Sequence, residues 1–261
     1  MKNNTYILLC IIALVAIGSY YFYNKNTSPS SSNNDTLTIG TATGYAPWVS
    51  INQHGEYEGF DIDVMHAIAN QMQKKLIIKD LGSMSSLFIA LEQQKVDAIM
   101  WAISITQDRL NKVAMIHYHG DATTSYPLLF WERIPEGITT INDMTDNTVS
   151  VEPTSSQDTV LSKYSFINKL ATEKVDDALL NIQYGKANAA LVEPSIAQKF
   201  KQKFPQIQIL DVPLAAEDQV AGVGICINKT NANLIEQVTA AVQTLTENGT
   251  IKQLEEKWAI V

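Results

Sequence analysis

The same order of secondary-structure elements is written twice in this chain, and that repetition limits the folds open to it. From residue 36 onward, short apolar runs alternate with stretches of helical periodicity. The first set reads as a strand at 37–41, a helix at 61–72, a strand at 76–79, a helix at 85–94 and a strand at 97–102. Val64, Ala67, Ile68 and Met72 share one face of the first helix, and Leu87, Phe88 and Leu91 share one face of the second. The second set has a strand at 148–152, a helix opened by Ser155-Ser156-Gln157-Asp158, a helix at 175–184 closed by Gly185, and a strand at 188–192. Even residues repeat: Lys95-Val96-Asp97-Ala98 is echoed by Lys186-Ala187-Asn188-Ala189. A β-α-β-α-β order requires a largely parallel sheet covered by helices. The expected fold is therefore α/β, with two similar Rossmann-like lobes. Ligands of such sheets bind beyond the carboxyl ends of the strands, which places the site in the cleft between the lobes. Amphipathic helices at 231–246 and 250–258, the second anchored by Leu254 and Trp258, are expected to return over the first lobe. The chain then crosses between lobes twice, near 126–131 and 220–225, and two crossings make a hinge.

The first residues stand apart from this pattern. After Lys2 an apolar run without a charge extends over residues 6–23, long enough for a signal peptide or a membrane anchor. Ala16-Ile17-Gly18 offers small residues for a cut before Ser19. Tyr20, Tyr21, Phe22 and Tyr23 read equally as the interfacial belt of a retained anchor. Leu9 precedes Cys10 where lipid attachment needs a small residue, so no lipidation is expected. Residues 24–35 are rich in Ser and Asn and read as a flexible linker. The division expected is 1–23 signal peptide or anchor, 24–35 linker, 36–125 plus 222–261 first lobe, and 126–221 second lobe. Export places the folded part in the periplasm or on the outer face of the cytoplasmic membrane. Beyond the linker only Cys226 remains, in an apolar run, and reads as a buried inert thiol. The net charge of −8 with scattered basic residues argues against nucleic acid as a partner.

The chemistry concentrates where the third strand ends. In Trp101-Ala102-Ile103-Ser104-Ile105-Thr106-Gln107-Asp108-Arg109, Thr106 is an N-cap candidate. Ser104 and Arg109 then flank one helix mouth, and a guanidinium fork matches a carboxylate bidentately. On these residues alone, a surface arginine paired with a neighbouring acid is an equal reading. His117 and His119 would share one strand face, but no further ligands are spaced to complete a metal site, so none is expected. Asp61 and Asp63 read as acids stabilising a helix dipole. Trp131 and Trp258 read as packing residues.

Five motifs in order resemble the polar amino-acid substrate-binding proteins of ABC importers, solute-binding family 3. They are Leu37-Thr38-Ile39-Gly40-Thr41, Tyr45-Ala46-Pro47-Trp48, Gly59-Phe60-Asp61-Ile62-Asp63, Asp97-Ala98-Ile99-Met100, and Ser104-Ile105-Thr106-Gln107-Asp108-Arg109. The resemblance covers 36–261. Val192-Glu193-Pro194-Ser195-Ile196-Ala197 and Leu254-Glu255-Glu256-Lys257-Trp258 resemble the arginine-binding branch most. It implies a type II periplasmic binding protein fold with a two-strand hinge, and a monomer that closes on an α-amino acid and delivers it to a membrane permease. No cofactor is implied. Arg109 resembles the family's carboxylate clamp, and Ser104 the serine that helps hold carboxylate and ammonium. Ser156 resembles the residue that closes over the carboxylate from the second lobe, and Glu193 the acid for the α-ammonium. Tyr45, Met84, Trp101 and Ala102 fall where the family lines its side-chain pocket. Three departures bear on the ligand: Ala42 stands where several binders of cations carry an acid, Trp101 and Ala102 replace small residues, and Glu152 replaces a neutral one. Arginine is the leading ligand, and glutamine follows if Trp101 fills the pocket. The alternatives are a dehydratase-type enzyme on the same scaffold or a membrane-anchored sensor. With Glu193 as the one strong candidate acid or base, no enzyme activity is expected.

Overall fold

A computed structural model describes residues 35–260, so the apolar run, Cys10 and most of the linker lie outside the described residues. Among the described residues no helix is long and apolar enough to cross a membrane. The first half carries β1 (Thr36–Thr41), the short pair β2 (Ser50–Ile51) and β3 (Tyr57–Glu58), α1 (Phe60–Gln71), β4 (Lys75–Asp80), α2 (Met84–Glu92), β5 (Ala98–Ile99), α3 (Gln107–Lys112) and β6 (Ala114–Thr123). Then follow β7 (Ser125–Phe130), β8 (Thr148–Val151), α4 (Ser156–Leu161), β9 (Asn168–Ala171), α5 (Val175–Gln183), β10 (Ala189–Leu191), α6 (Pro194–Lys203) and β11 (Gln208–Pro213). The chain ends with β12 (Val220–Ile227), α7 (Ala232–Glu247) and α8 (Thr250–Trp258).

The strands form two five-stranded sheets, in the orders β4-β1-β5-β12-β6 and β11-β7-β10-β8-β9. Reversing the second gives β9-β8-β10-β7-β11, which superposes on the first by position. In the first sheet β1 runs parallel to β5, and in the second β8 runs parallel to both β9 and β10. β12 and β6 in the first sheet, and β7 and β11 in the second, are antiparallel to their neighbours. The sequence echo has a physical cause. The Asp97 carboxylate accepts from the Thr38 N–H at 2.7 Å, and the Asn188 amide oxygen accepts from the Thr148 N–H at 2.8 Å. Each side chain thus starts its parallel pair by satisfying a strand N–H. Before each, a residue with positive φ ends the preceding helix, Gln94 at 55° and Gly185 at 67°.

Two expectations are corrected. The strand foreseen at 97–102 is ordered only at Ala98–Ile99, because the chain turns out of the ladder at Ala102, whose φ is 45°. Both crossings, foreseen at 126–131 and 220–225, lie earlier. β7 belongs wholly to the second sheet, so the chain crosses at Thr124, and it returns over residues 214–219 before β12 begins. α7 and α8 pack back on α1 and β6, as their amphipathic pattern requires. Leu37, Ile39, Ile68, Leu87 and Ile99 fill the core of the first half, and Tyr126, Leu128, Phe130 and Val149 that of the second.

Candidate functional site

The turn after β5 sets up the site. Thr106 caps α3, accepting from the Arg109 N–H at 3.3 Å. Arg109 is buried, at 6% exposure, with its guanidinium 5.5 Å from the centre of the Phe88 ring. It donates from Nη1 to the Ser104 carbonyl at 2.8 Å and from Nη2 to the Thr154 carbonyl of the second half at 3.0 Å. No carboxylate among the described residues is paired with it, which overturns the surface ion pair as a reading. Burial lowers its affinity for the proton, and the neighbouring Glu193 and Glu152 oppose that.

From the second half, Glu193 precedes α6, whose first residue is Pro194. The Ser104 hydroxyl donates to Glu193 Oε1 at 2.8 Å. Ser156 opens α4, accepts from the Tyr126 hydroxyl at 2.8 Å and lies 3.3 Å from Ser104 Oγ. Burial pushes the Glu193 carboxyl up, while Gln157, Ser104, Arg109 and Ser156 favour its charged form. Tyr45 and Trp101 form an aromatic wall, ring centres 5.3 Å apart.

Tyr45, Met84, Trp101, Ala102, Ser104, Arg109, Ser156 and Glu193 all line one hollow, and Glu152, Ser155 and Gln157 complete it. The free space is about 20 Å³, room for a single water molecule. A second hollow of the same size shares Tyr45, Glu152, Gln157 and Glu193 and runs into the second half past Thr172 and Val175. Burial pushes the Glu152 carboxyl up to about 8; Arg109 opposes this, and Glu193 and Glu173 add to it. Ala42 is fully buried in the hydrophobic core and lines neither hollow.

Sequence reasoning passed over Gln157 and Ser155 as site residues, although both stand in the helix-opening stretch with Ser156. Asp61 stands in the first turn of α1 as expected, but its further role was missed. This acid is fully buried and accepts from the Ala102 N–H and the Tyr118 hydroxyl, each at 2.7 Å. It ties the site turn to β6, and burial pushes it up to about 7, against those two hydrogen bonds. Asp63 holds Lys257 at 2.7 Å and Trp258 Nε1 at 2.6 Å. The two histidines lie elsewhere: His119 Nδ1 meets Glu255 Oε1 at 2.6 Å, and His117 Nε2 meets the Gly120 carbonyl. Cys226 is buried, its thiol pushed up to about 12 by burial.

Comparison with known proteins agrees with this architecture. The model of the bacterial extracellular solute-binding proteins, family 3, matches residues 37–260. A probable ABC transporter arginine-binding protein of Chlamydia trachomatis serovar D is 29% identical, covering 88% of each chain. An L-cystine-binding protein of Bacillus subtilis is 27% identical, over 98% of this chain and 94% of its own. The crystal structure of a mutant of ArgBP from T. maritima superposes with a TM-score of 0.77 at 26% identity, covering 88% of this chain and 97% of its own. The fold is that of the type II periplasmic binding proteins, two α/β lobes with the hollow between them. The chain belongs to the bacterial extracellular solute-binding proteins, family 3.

Proposed function

We propose that this protein captures an α-amino acid outside the cytoplasmic membrane and delivers it to the permease of an ABC importer. The observation that carries the reading is the charge arrangement at the seam: one buried guanidinium with no carboxylate partner, and one carboxyl facing it from the other half. In this reading Arg109 clamps the α-carboxylate with donors not used by the two carbonyls, and Ser104 and Ser156 add hydroxyls. Glu193 takes the α-ammonium, and Tyr45, Met84, Trp101 and Ala102 wall the side chain. The moving bodies are the two halves on either side of the crossings at Thr124 and 214–219. They meet in this structure through Arg109 on Thr154 and through Lys199 Nζ on the Ala46 carbonyl, 3.1 Å. A hollow of about 20 Å³ admits no amino acid, so the halves must part for one to enter.

Arginine is the first ligand to test and cystine the second, after the names of the relatives. A thermal-shift screen of the purified protein against all amino acids is the experiment. A ligand that binds only the folded form raises the melting temperature by mass action, and a screen without any shift contradicts the reading. The Ser104–Glu193 contact, a hydroxyl on a carboxyl with raised proton affinity, is the one feature favouring an enzyme. Mass spectrometry after long incubation with amino acids and prephenate-like acids is expected to return only starting material. Product that disappears in Glu193→Gln would establish turnover.

A further inference from the structure

We propose that Glu152 selects the ligand's side chain, its carboxylate receiving a cationic group, so that the substrates are α-amino acids with a positively charged side chain. The inference rests on the reading that Arg109 and Glu193 hold the amino-acid head group, and three observations extend it.

The two hollows meet at Glu152. One contains Arg109 and Ser104. The other continues between Thr172, Val175, Ala178 and Leu191, and among the described residues no basic one lines it. Its two charged groups are Glu193 and Glu152. Glu193 already holds the Ser104 hydroxyl, where a ligand ammonium would also sit, and Glu152 is left for whatever extends beyond. Nor is Glu152 matched from within the protein: no hydrogen bond or ion pair joins its carboxylate to any described residue. A partly buried carboxylate without a partner is costly, and a ligand cation removes that cost.

Trp101 and Gln157 supply the third observation. They are 5% and 4% exposed and line the same hollow; the Gln157 side chain faces the Glu193 carboxyl, and Trp101 Nε1 meets no acceptor among the described residues. Buried polar atoms of native proteins are matched almost always; Thr41 Oγ1 and Trp48 Nε1 are also unmatched but lie outside the hollow, whereas the Trp101 N–H is on its wall, where a ligand can meet it. The indole face suits a planar cation. The Gln157 amide can turn either its nitrogen or its oxygen to the ligand, so it adapts to the group that Glu152 selects. The scaffold beneath is fixed. Ser150 Oγ lies 2.7 Å from Thr172 Oγ1, and Asn181 Nδ2 donates to Thr172 Oγ1 at 3.0 Å, tying β8 to the residue after β9 and to the last turn of α5.

Calorimetric titration with arginine and with citrulline, its neutral near-isostere, separates charge from shape. The wild type is expected to bind arginine at least about a hundredfold more tightly than citrulline. Glu152→Gln is expected to bring the two within about tenfold through a loss of arginine affinity, and an unchanged circular dichroism spectrum shows that the variant is folded. Glu152→Asp, which keeps the charge, is expected to retain the preference. An arginine-to-citrulline ratio unchanged in Glu152→Gln overturns the proposal, as does a wild type that prefers citrulline or glutamine. If the wild type binds no amino acid at all, the head-group reading itself fails.

Discussion

Arg109 is held by two backbone carbonyls from opposite halves, so its removal deletes a cross-lobe tie together with the proposed ligand clamp. Arg109→Ala is expected to weaken amino-acid binding by roughly 2–5 kcal/mol, the range for truncating one partner of a buried charge pair. Calorimetry measures the loss, and an unchanged circular dichroism spectrum shows that the fold survives. The acids across from it set the pH dependence. Burial raises the Glu152 proton affinity to about 8, against Arg109 and with Glu193 and Glu173, so at neutral pH it is mostly protonated. A bound cation favours the ionised form. Arginine affinity is therefore expected to rise with pH through the range below about 8, by at most about tenfold per pH unit, and to level off above that value. Glu152→Gln should flatten that profile. That Arg109 and Ser104 stand together at a helix mouth was legible from their residue types and the Thr106 cap. The further role of Asp61 was not: two acids opening a helix look alike in sequence. Only the packing of Ala102 and Tyr118 against one of them turns it into a buried tie.

At the scale of elements, the duplicated strand–helix order was readable because each unit begins its third strand with the same device. Asp97 and Asn188 satisfy equivalent strand N–H groups, and truncating either leaves that group unmatched. Asp97→Ala and Asn188→Ala are each expected to cost about 1 kcal/mol in urea unfolding, with similar values for the two. The shortened β5 and the position of the first crossing were not readable. Both depend on where the chain leaves a ladder, at Ala102 and at Thr124, and apolar content continues through both places. The return crossing carries a stronger constraint. Gly222, early in β12, has φ 76°, and a Cβ there would press on the His117 ring at 2.6 Å, the His119 carbonyl at 2.6 Å and the Gly120 carbonyl. Gly222→Ala is expected to destabilise the protein by roughly 1–3 kcal/mol in the same assay, since the new methyl meets backbone as well as a side chain.

For the whole molecule, the two sheets share one plan, and the hollow lies where the ends of both meet. Residues expected to hold one ligand come from both halves: Arg109 and Ser104 from the first, Ser156 and Glu193 from the second. Closure on the ligand follows from that division. Small-angle scattering is expected to give a smaller radius of gyration at saturating ligand than without it, and an unchanged radius would mean that the lobes do not part. The central claim is that an amino-acid head group bridges Arg109 and Glu193. A crystal structure with the amino acid that gives the largest thermal shift tests it most directly. The account predicts the ligand's α-carboxylate on the Arg109 guanidinium and its α-ammonium on Glu193, with the side chain directed past Glu152. A ligand seated elsewhere, or one lying in the hollow with Arg109 still bonded only to carbonyls, would contradict it.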